Sequence, residues 1–482
     1  MVPDLDGTGV SVAQPEALNP DPKWQVNPQA VGLPTSLFRW YSASGSTNDF
    51  PNTLGAASGH ANEVGNAFYG TTNGVAPGLA GIENYEATYF VGLIQAGSPI
   101  VPRVVNQSFA FGGQNNTIDQ KYDDYVNVHG TLFLSGVGNA GAPASPATMW
   151  NGIGVGAFGG SSSTGPTTDG RCKPDLSAPA SLTSFATPQV AGTAALLLEA
   201  ITNGVGVAGN AASAADWRTL KAILINGADK PAGWSNAVTM PLDPRYGSGV
   251  LNVLRSYEQL RGGQHAAVAT NAYGLGGPTV PPPLTGGIES VRGWNLASIN
   301  QRPLEHGAHH YLFDFTGASE VFDTLDVTLT WARPVGGAGA NNLELALYDA
   351  STGGLIVESK SGVNNVEHLH VANLPPGRYV IQVLKLGTVL QSLSPSETYA
   401  MAFEFVSPLT AGPRLVAPSW EAGTFHVRVE AEPFEAYRVE RAETLPNWIP
   451  VGTHLMPVTG FFDVDDLVGV APAFTYRVIR VP

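Results

Sequence analysis

The segment Thr183-Ser184-Phe185-Ala186-Thr187-Pro188-Gln189-Val190-Ala191-Gly192 constrains the fold more than any other part of the chain. It runs straight into Thr193-Ala194-Ala195-Leu196-Leu197-Leu198, an apolar helical run. Proline is comfortable in the first turn of a helix, where its missing N–H is one of the unpaired donors anyway. Ser184 is therefore expected just ahead of a helix N-terminus, where free backbone N–H groups and the positive dipole end favour developing negative charge. A nucleophilic serine needs that setting. A serine that merely caps a buried helix is the plainer alternative.

The same segment resembles the active-site serine signature of the subtilisin-like serine proteases, G-T-S-x-A-[ST]-P-x-V-A-G, with Leu182 in place of the first glycine. Other stretches resemble that family in register. Gly9-Val10-Ser11-Val12-Ala13 is a short apolar strand after the turn Asp6-Gly7-Thr8, like the family's opening G-x-G-V-x-V-A. The family's catalytic aspartate ends that strand, and the matching position here is Glu16, after Pro15. Asp4 and Asp6 compete for the role but lie before the strand, at its wrong end. Ser58-Gly59-His60-Ala61-Asn62-Glu63-Val64 keeps the first His and the Val of H-G-T-H-V-A-G, and Gly74-Val75-Ala76-Pro77-Gly78 follows like the family's G-V-A-P-x loop. The resemblance thus implies His60 as the base.

Residues 20–57 are polar, with few periodic signals. Val104-Val105-Asn106-Gln107-Ser108 reads as a strand, Ile118 to His129 as a helix and Thr131–Ser135 as the next parallel strand. The stretch through Phe109-Ala110-Phe111-Gly112-Gly113 resembles the family's N-x-S-x-G-G substrate-binding strand, which implies substrate contacts at Ser108, Phe109 and Ala110. Gly136-Val137-Gly138-Asn139-Ala140-Gly141 is close to A-G-N-x-G and implies Asn139 as the oxyanion-hole side chain. Asp169 to Pro179 is similar to D-G-R-x-K-P-D-[IL]-x-A-P and reads as scaffold. Only Ala180 and Ser181 then precede Leu182, where the family usually has a further strand and loop. Trp217 to Asn226 reads as an amphipathic helix, and Tyr246-Gly247-Ser248-Gly249-Val250-Leu251-Asn252 resembles the motif that closes the catalytic domain. The order Glu16, His60, Ser184 is the subtilisin order.

The chain has 482 residues, too many for one ordinary core. The expected fold is α/β: a subtilisin-like parallel sheet with helices on both faces over residues 1–262. A Gly/Pro-rich linker follows at 263–298, containing Pro281-Pro282-Pro283. From residue 299 the apolar period changes to two, as in Leu325, Val327, Leu329, Trp331 and in Tyr399, Met401, Phe403, Phe405. That pattern predicts two all-β domains of β-sandwich type, 299–408 and 409–482, folding separately from the peptidase part. The first resembles the jelly-roll domain of some bacterial subtilisin-like proteases, and Trp448 is expected in the core of the second.

A net charge of −15 argues against a nucleic-acid partner. No apolar run is long enough to span a membrane. One cysteine, Cys172, excludes an intramolecular disulfide. The start, Met1 to Asp6, does not read as a signal peptide. The resemblance implies a serine endopeptidase acting on polypeptides through Glu16, His60 and Ser184, with no organic cofactor or catalytic metal, and composition and resemblance together imply an extracellular setting. Structural calcium is conceivable, but no ligand spacing supports it. Oligomeric state is open. The departures at Glu16, around His60 and at Leu182 leave a second reading, a catalytically impaired relative kept as a binding or surface protein.

Overall fold

The computed structural model describes residues 5–481 apart from 209, 301, 319–320, 338, 388–394, 408–411, 423, 443–445 and 468–473. Asp4 and the expected domain boundary at 408/409 lie outside the described residues.

The N-terminal part is built on one sheet of eight strands. In spatial order these are Leu176–Pro179, Ile153–Phe158, Leu132–Gly136, Val104–Gln107, Ser11–Glu16, Gly81–Glu86, Phe38–Ser42 and Gly45–Thr47. All neighbours run parallel except the last pair, a hairpin. Val104, Val105, Phe133, Leu134, Ile153 and Val155 are fully buried, as strands covered by helices on both faces require. The helices are α1 (Gly59–Phe68), α2 (Ala87–Ala96), α3 (Asn116–His129), α4 (Thr183–Thr202), α5 (Ala211–Ala214), α6 (Trp217–Asn226) and α7 (Val253–Arg261). Helix α4 packs on the strands from residue 104 to 179 and against α1. Gly192 permits that approach: a Cβ there would sit 2.6 Å from Val75 Cβ.

Phe38–Ser42 is a sheet member that the polar composition of residues 20–57 conceals. Its alternation is nonetheless that of a half-buried strand, with Phe38 and Trp40 buried and Arg39 exposed.

The all-β part opens earlier than composition suggests. Ala269–Gly274 pairs with Glu305–Asp314, and Arg292–Asn300 pairs with Ser396–Val406. Residues 263–298 are therefore not a plain spacer but supply edge strands to both sheets of a sandwich, one of five strands and one of four. Tyr311, Leu325, Val327, Leu345, Ile381 and Phe403 fill the space between them. A smaller C-terminal unit of two three-stranded sheets encloses Val427, Val429, Tyr437 and Val439. Trp448 stands outside that core, under the Arg477 guanidinium at 4.1 Å, because its strand neighbours face solvent.

The sandwich is not separate from the parallel-sheet part. Helix α6 is buried at every position but Arg218, because its polar face lies against the four-stranded sheet. Trp294, Ala332, Ala400 and Ala402 belong to the same apolar cluster as the parallel sheet and its helices. Charges seal the junction: Asp326, 1% exposed, meets Lys230 at 3.4 Å, Arg255 at 3.0 Å and His370 at 2.7 Å. Burial would raise the Asp326 carboxyl, but the Lys230 charge, the His370 hydrogen bond and the Arg255 charge hold it far below the usual carboxylate range. Removing one partner of such a buried cluster leaves the others uncompensated, at about 3–5 kcal/mol. Asp326→Asn is accordingly expected to lower the unfolding free energy by about that amount in a urea titration followed by circular dichroism. An unchanged midpoint would show that this junction does not hold the two parts together.

Candidate active site

Glu16 ends its strand at the carboxyl edge of the sheet, where ligands of open α/β sheets bind. The ladder to Val104–Gln107 stops at Ala13, so the Pro15–Glu16 end is unpaired on that side. The Glu16 side chain is 2% exposed. Ser58 caps α1, its hydroxyl accepting the Ala61 N–H at 3.3 Å, and this sets His60 in the first turn. His60 Nδ1 lies 2.9 Å from Glu16 Oε2. The hydrogen bond to Glu16 raises the imidazole pKa above the ordinary histidine value, against burial, and the charges of Glu16 and Glu63 add to the rise. Asp6 lies before the other end of the strand, where it accepts from Thr8.

Ser184 sits inside the first turn of α4 rather than ahead of it, since the helix starts at Thr183. Pro188 is correspondingly one turn further in than expected. Its missing N–H frees the carbonyl of Ser184 four residues back, and the Ser108 hydroxyl donates to that carbonyl at 2.8 Å. Asn106 Nδ2 donates in turn to Ser108 Oγ at 3.1 Å. The Ser184 hydroxyl donates to the Ser108 carbonyl at 3.3 Å. No hydrogen bond joins it to His60, whose ring centroid lies 6.0 Å from that of Phe185, the next residue.

Asn139 is exposed on the turn after Leu132–Gly136. Gly138 reaches φ 103° there, and a Cβ on it would meet Ser163 Oγ at 2.8 Å. Asn139 Oδ1 accepts from the Thr183 N–H at 2.9 Å and from the Thr183 hydroxyl at 3.0 Å, which fixes the amide with its NH₂ free. The Ser184 N–H is one of the helix-start donors with no carbonyl a turn back. Phe109 and Ala110 follow their strand into a cavity of about 270 Å³, shared with Leu18, Thr88, Val91 and Phe111. Among the described residues, no three His, Cys, Asp or Glu side chains are grouped to hold a metal ion.

Two side chains here have no counterpart in the motifs. Gln14 Nε2 donates to Glu16 Oε1 at 2.8 Å and to the Ala61 carbonyl at 3.0 Å, while Gln14 Oε1 accepts from the Tyr69 hydroxyl at 2.6 Å. The sequence signal for Gln14 is its place two residues before Glu16, on the same face of a strand.

A carboxylate–imidazole pair beside a helix-start hydroxyl can turn a weak nucleophile into a strong one. Residues 43–249 match a family model described as the subtilase family. The span includes His60, Ser108, Phe109, Ala110, Asn139 and Ser184 and begins after Glu16. A search of curated proteins finds no match. Among solved structures, tripeptidyl peptidase 2 aligns over 80% of this chain and 44% of its own, with 15% identity and a TM-score of 0.34. A β-1,2-glucanase from Parabacteroides distasonis aligns over 39% of this chain and 29% of its own, with 14% identity and a TM-score of 0.17. This chain thus spans less than half the length of either. Residues 43–249 are thus similar to the subtilase family, and all-β sheets follow the matched part.

Proposed function

We propose that the chain is a serine endopeptidase that hydrolyses polypeptides through an acyl-enzyme. The observation that carries this is the Glu16–His60 pair at 2.9 Å, with the His60 ring 6.0 Å from that of Phe185, the residue after Ser184 at the start of α4. In the reaction, Ser184 Oγ turns from the Ser108 carbonyl toward His60, which takes its proton and later gives it to the leaving amine. Hydrogen bonds of this kind tighten when substrate excludes water. Glu16 keeps the His60 proton on Nδ1 and stabilises the imidazolium. The Asn139 amide and the Ser184 N–H receive the oxyanion, each donor contributing about 3–4 kcal/mol. The acyl part of the substrate lies along Ser108, Phe109 and Ala110. Every group comes from the chain itself, and the substrate would be met outside the cell.

Casein cleavage together with covalent labelling of Ser184 by a fluorophosphonate tests this reading. A folded protein that neither cleaves nor labels supports the second reading, a binding protein, which the Ser184–Ser108 hydrogen bond in place of one to His60 favours.

The raised His60 pKa gives a signed expectation. The base must be neutral to accept the serine proton, so kcat/KM falls as pH drops through that pKa. Glu63, exposed on the next turn of α1, is one cause of the rise. Glu63→Gln is expected to move the acid limb of the pH–rate profile to lower pH and leave the plateau in place. The movement should shrink at high ionic strength, since an exposed charge is screened. A limb that stays put would remove Glu63 from the electrostatics of the site.

A further inference from the structure

We infer that Gln14 is a positioning residue for the active site: its amide fixes the Glu16 carboxylate and ties the strand that carries it to the helix that carries His60. The inference rests on the reading of Glu16, His60 and Ser184 given above.

Gln14 and Glu16 are two apart on one strand, so their side chains leave the same face side by side. Both are buried, at 0% and 1% exposure. Every polar atom of the Gln14 head is used. One N–H goes to the Glu16 oxygen that His60 does not hold, and the other goes to the Ala61 carbonyl, one residue beyond His60. A single rigid amide thus spans both elements, and the distance from carboxylate to imidazole follows from its length.

Tyr69 sets the orientation of that amide. Its hydroxyl donates to Gln14 Oε1, so the NH₂ end must face Glu16. Tyr69 is itself fully buried at the end of α1. Burial and the Glu16 charge raise its pKa well above the ordinary value, so it remains a neutral donor. Tyr69, Gln14, Glu16 and His60 form a directed chain in which each hydrogen bond specifies the next. This also accounts for the glutamate: a carboxylate on a longer, looser side chain needs a second anchor to hold one rotamer.

The test compares Gln14→Met, which keeps the volume and removes the donor, with Tyr69→Phe and the double variant. The protein is the full chain, with competent sites counted by fluorophosphonate titration so that a reduced folded fraction does not enter kcat. Gln14→Met is expected to lower kcat by about 10–100-fold, the scale of one hydrogen bond to a charged group, with KM little changed. Tyr69→Phe should cost less, because the amide keeps its donors, and the double variant should be no worse than Gln14→Met alone. A proton spectrum gives a readout independent of turnover: the downfield His60 Nδ1–H resonance should shift or broaden in Gln14→Met.

Wild-type kcat per titrated site with an unmoved resonance would overturn the inference, as would purely additive losses for Gln14→Met and Tyr69→Phe. Failure of the underlying reading is a different result. In that case Ser184→Ala retains hydrolysis, and the His60 resonance still reports whether Gln14 orients the pair.

Discussion

Ser184→Ala is expected to lower kcat for peptide hydrolysis by about 10⁶-fold, the scale on which such a triad loses its nucleophile. The fold should not change. The hydroxyl makes one hydrogen bond, to the Ser108 carbonyl at 3.3 Å, and this is near the limit of a useful interaction. The bond that matters for α4, from the Ser108 hydroxyl to the Ser184 carbonyl, involves the backbone of residue 184 and survives the substitution. The unfolding midpoint should therefore stay near wild type while fluorophosphonate labelling disappears. Residual hydrolysis above the water rate is expected from Asn139 and the Ser184 N–H, which the variant keeps. Hydrolysis at wild-type rate by folded Ser184→Ala would mean that another group attacks the substrate.

The candidate site was legible where motif and helix mechanics agree. The segment around Ser184 carries its own local logic, and the glycine turn around Asn139 can present a side chain at a strand end. Glu16 was legible only through spacing from Gly9, because a glutamate after a strand is otherwise a surface residue. Pro188 misled in detail. Its place in a first turn is a preference and not a requirement, and here the Ser108 hydroxyl replaces the lost N–H, so the helix starts a turn earlier.

The domain boundaries were less legible for a different reason. Composition records that 263–298 is rich in Gly and Pro, but edge strands tolerate both residues, and pairing with Glu305–Asp314 and Ser396–Val406 is a tertiary fact. The polar stripe of α6 likewise reads as solvent-facing until the sandwich covers it. Asn226 then finds a partner in the sandwich, the Thr328 hydroxyl, while Thr219 and Lys221 are satisfied within the N-terminal part by the Ser213 and Trp150 carbonyls. Gln14 was missed because a polar residue inside a buried strand has no pattern of its own; its meaning lies in Glu16, Ala61 and Tyr69.

Glu16→Gln is expected to lower kcat by about 10³–10⁴-fold near neutral pH, because an amide in place of the carboxylate can impose the wrong histidine tautomer. Here the direction of that error follows from the neighbours. Gln14 presents an N–H to residue 16, so a glutamine there turns its oxygen toward Gln14 and its NH₂ toward His60 Nδ1. His60 Nδ1 must then accept, its proton moves to Nε2, and the ring can no longer take the proton of Ser184. Loss of the hydrogen bond that most raises the His60 pKa also shifts any remaining acid limb to lower pH. Glu16→Asp keeps the charge and the correct tautomer but shortens the reach to His60, so its loss should be smaller. The expected order of kcat is wild type, then Glu16→Asp, then Glu16→Gln, with KM similar throughout. Asp6→Asn, measured alongside, should leave kcat unchanged, since Asp6 serves Thr8 before the far end of the strand. A Glu16→Gln protein with wild-type kcat would show that His60 needs no carboxylate at this position, and the family's aspartate would then have no functional counterpart at residue 16.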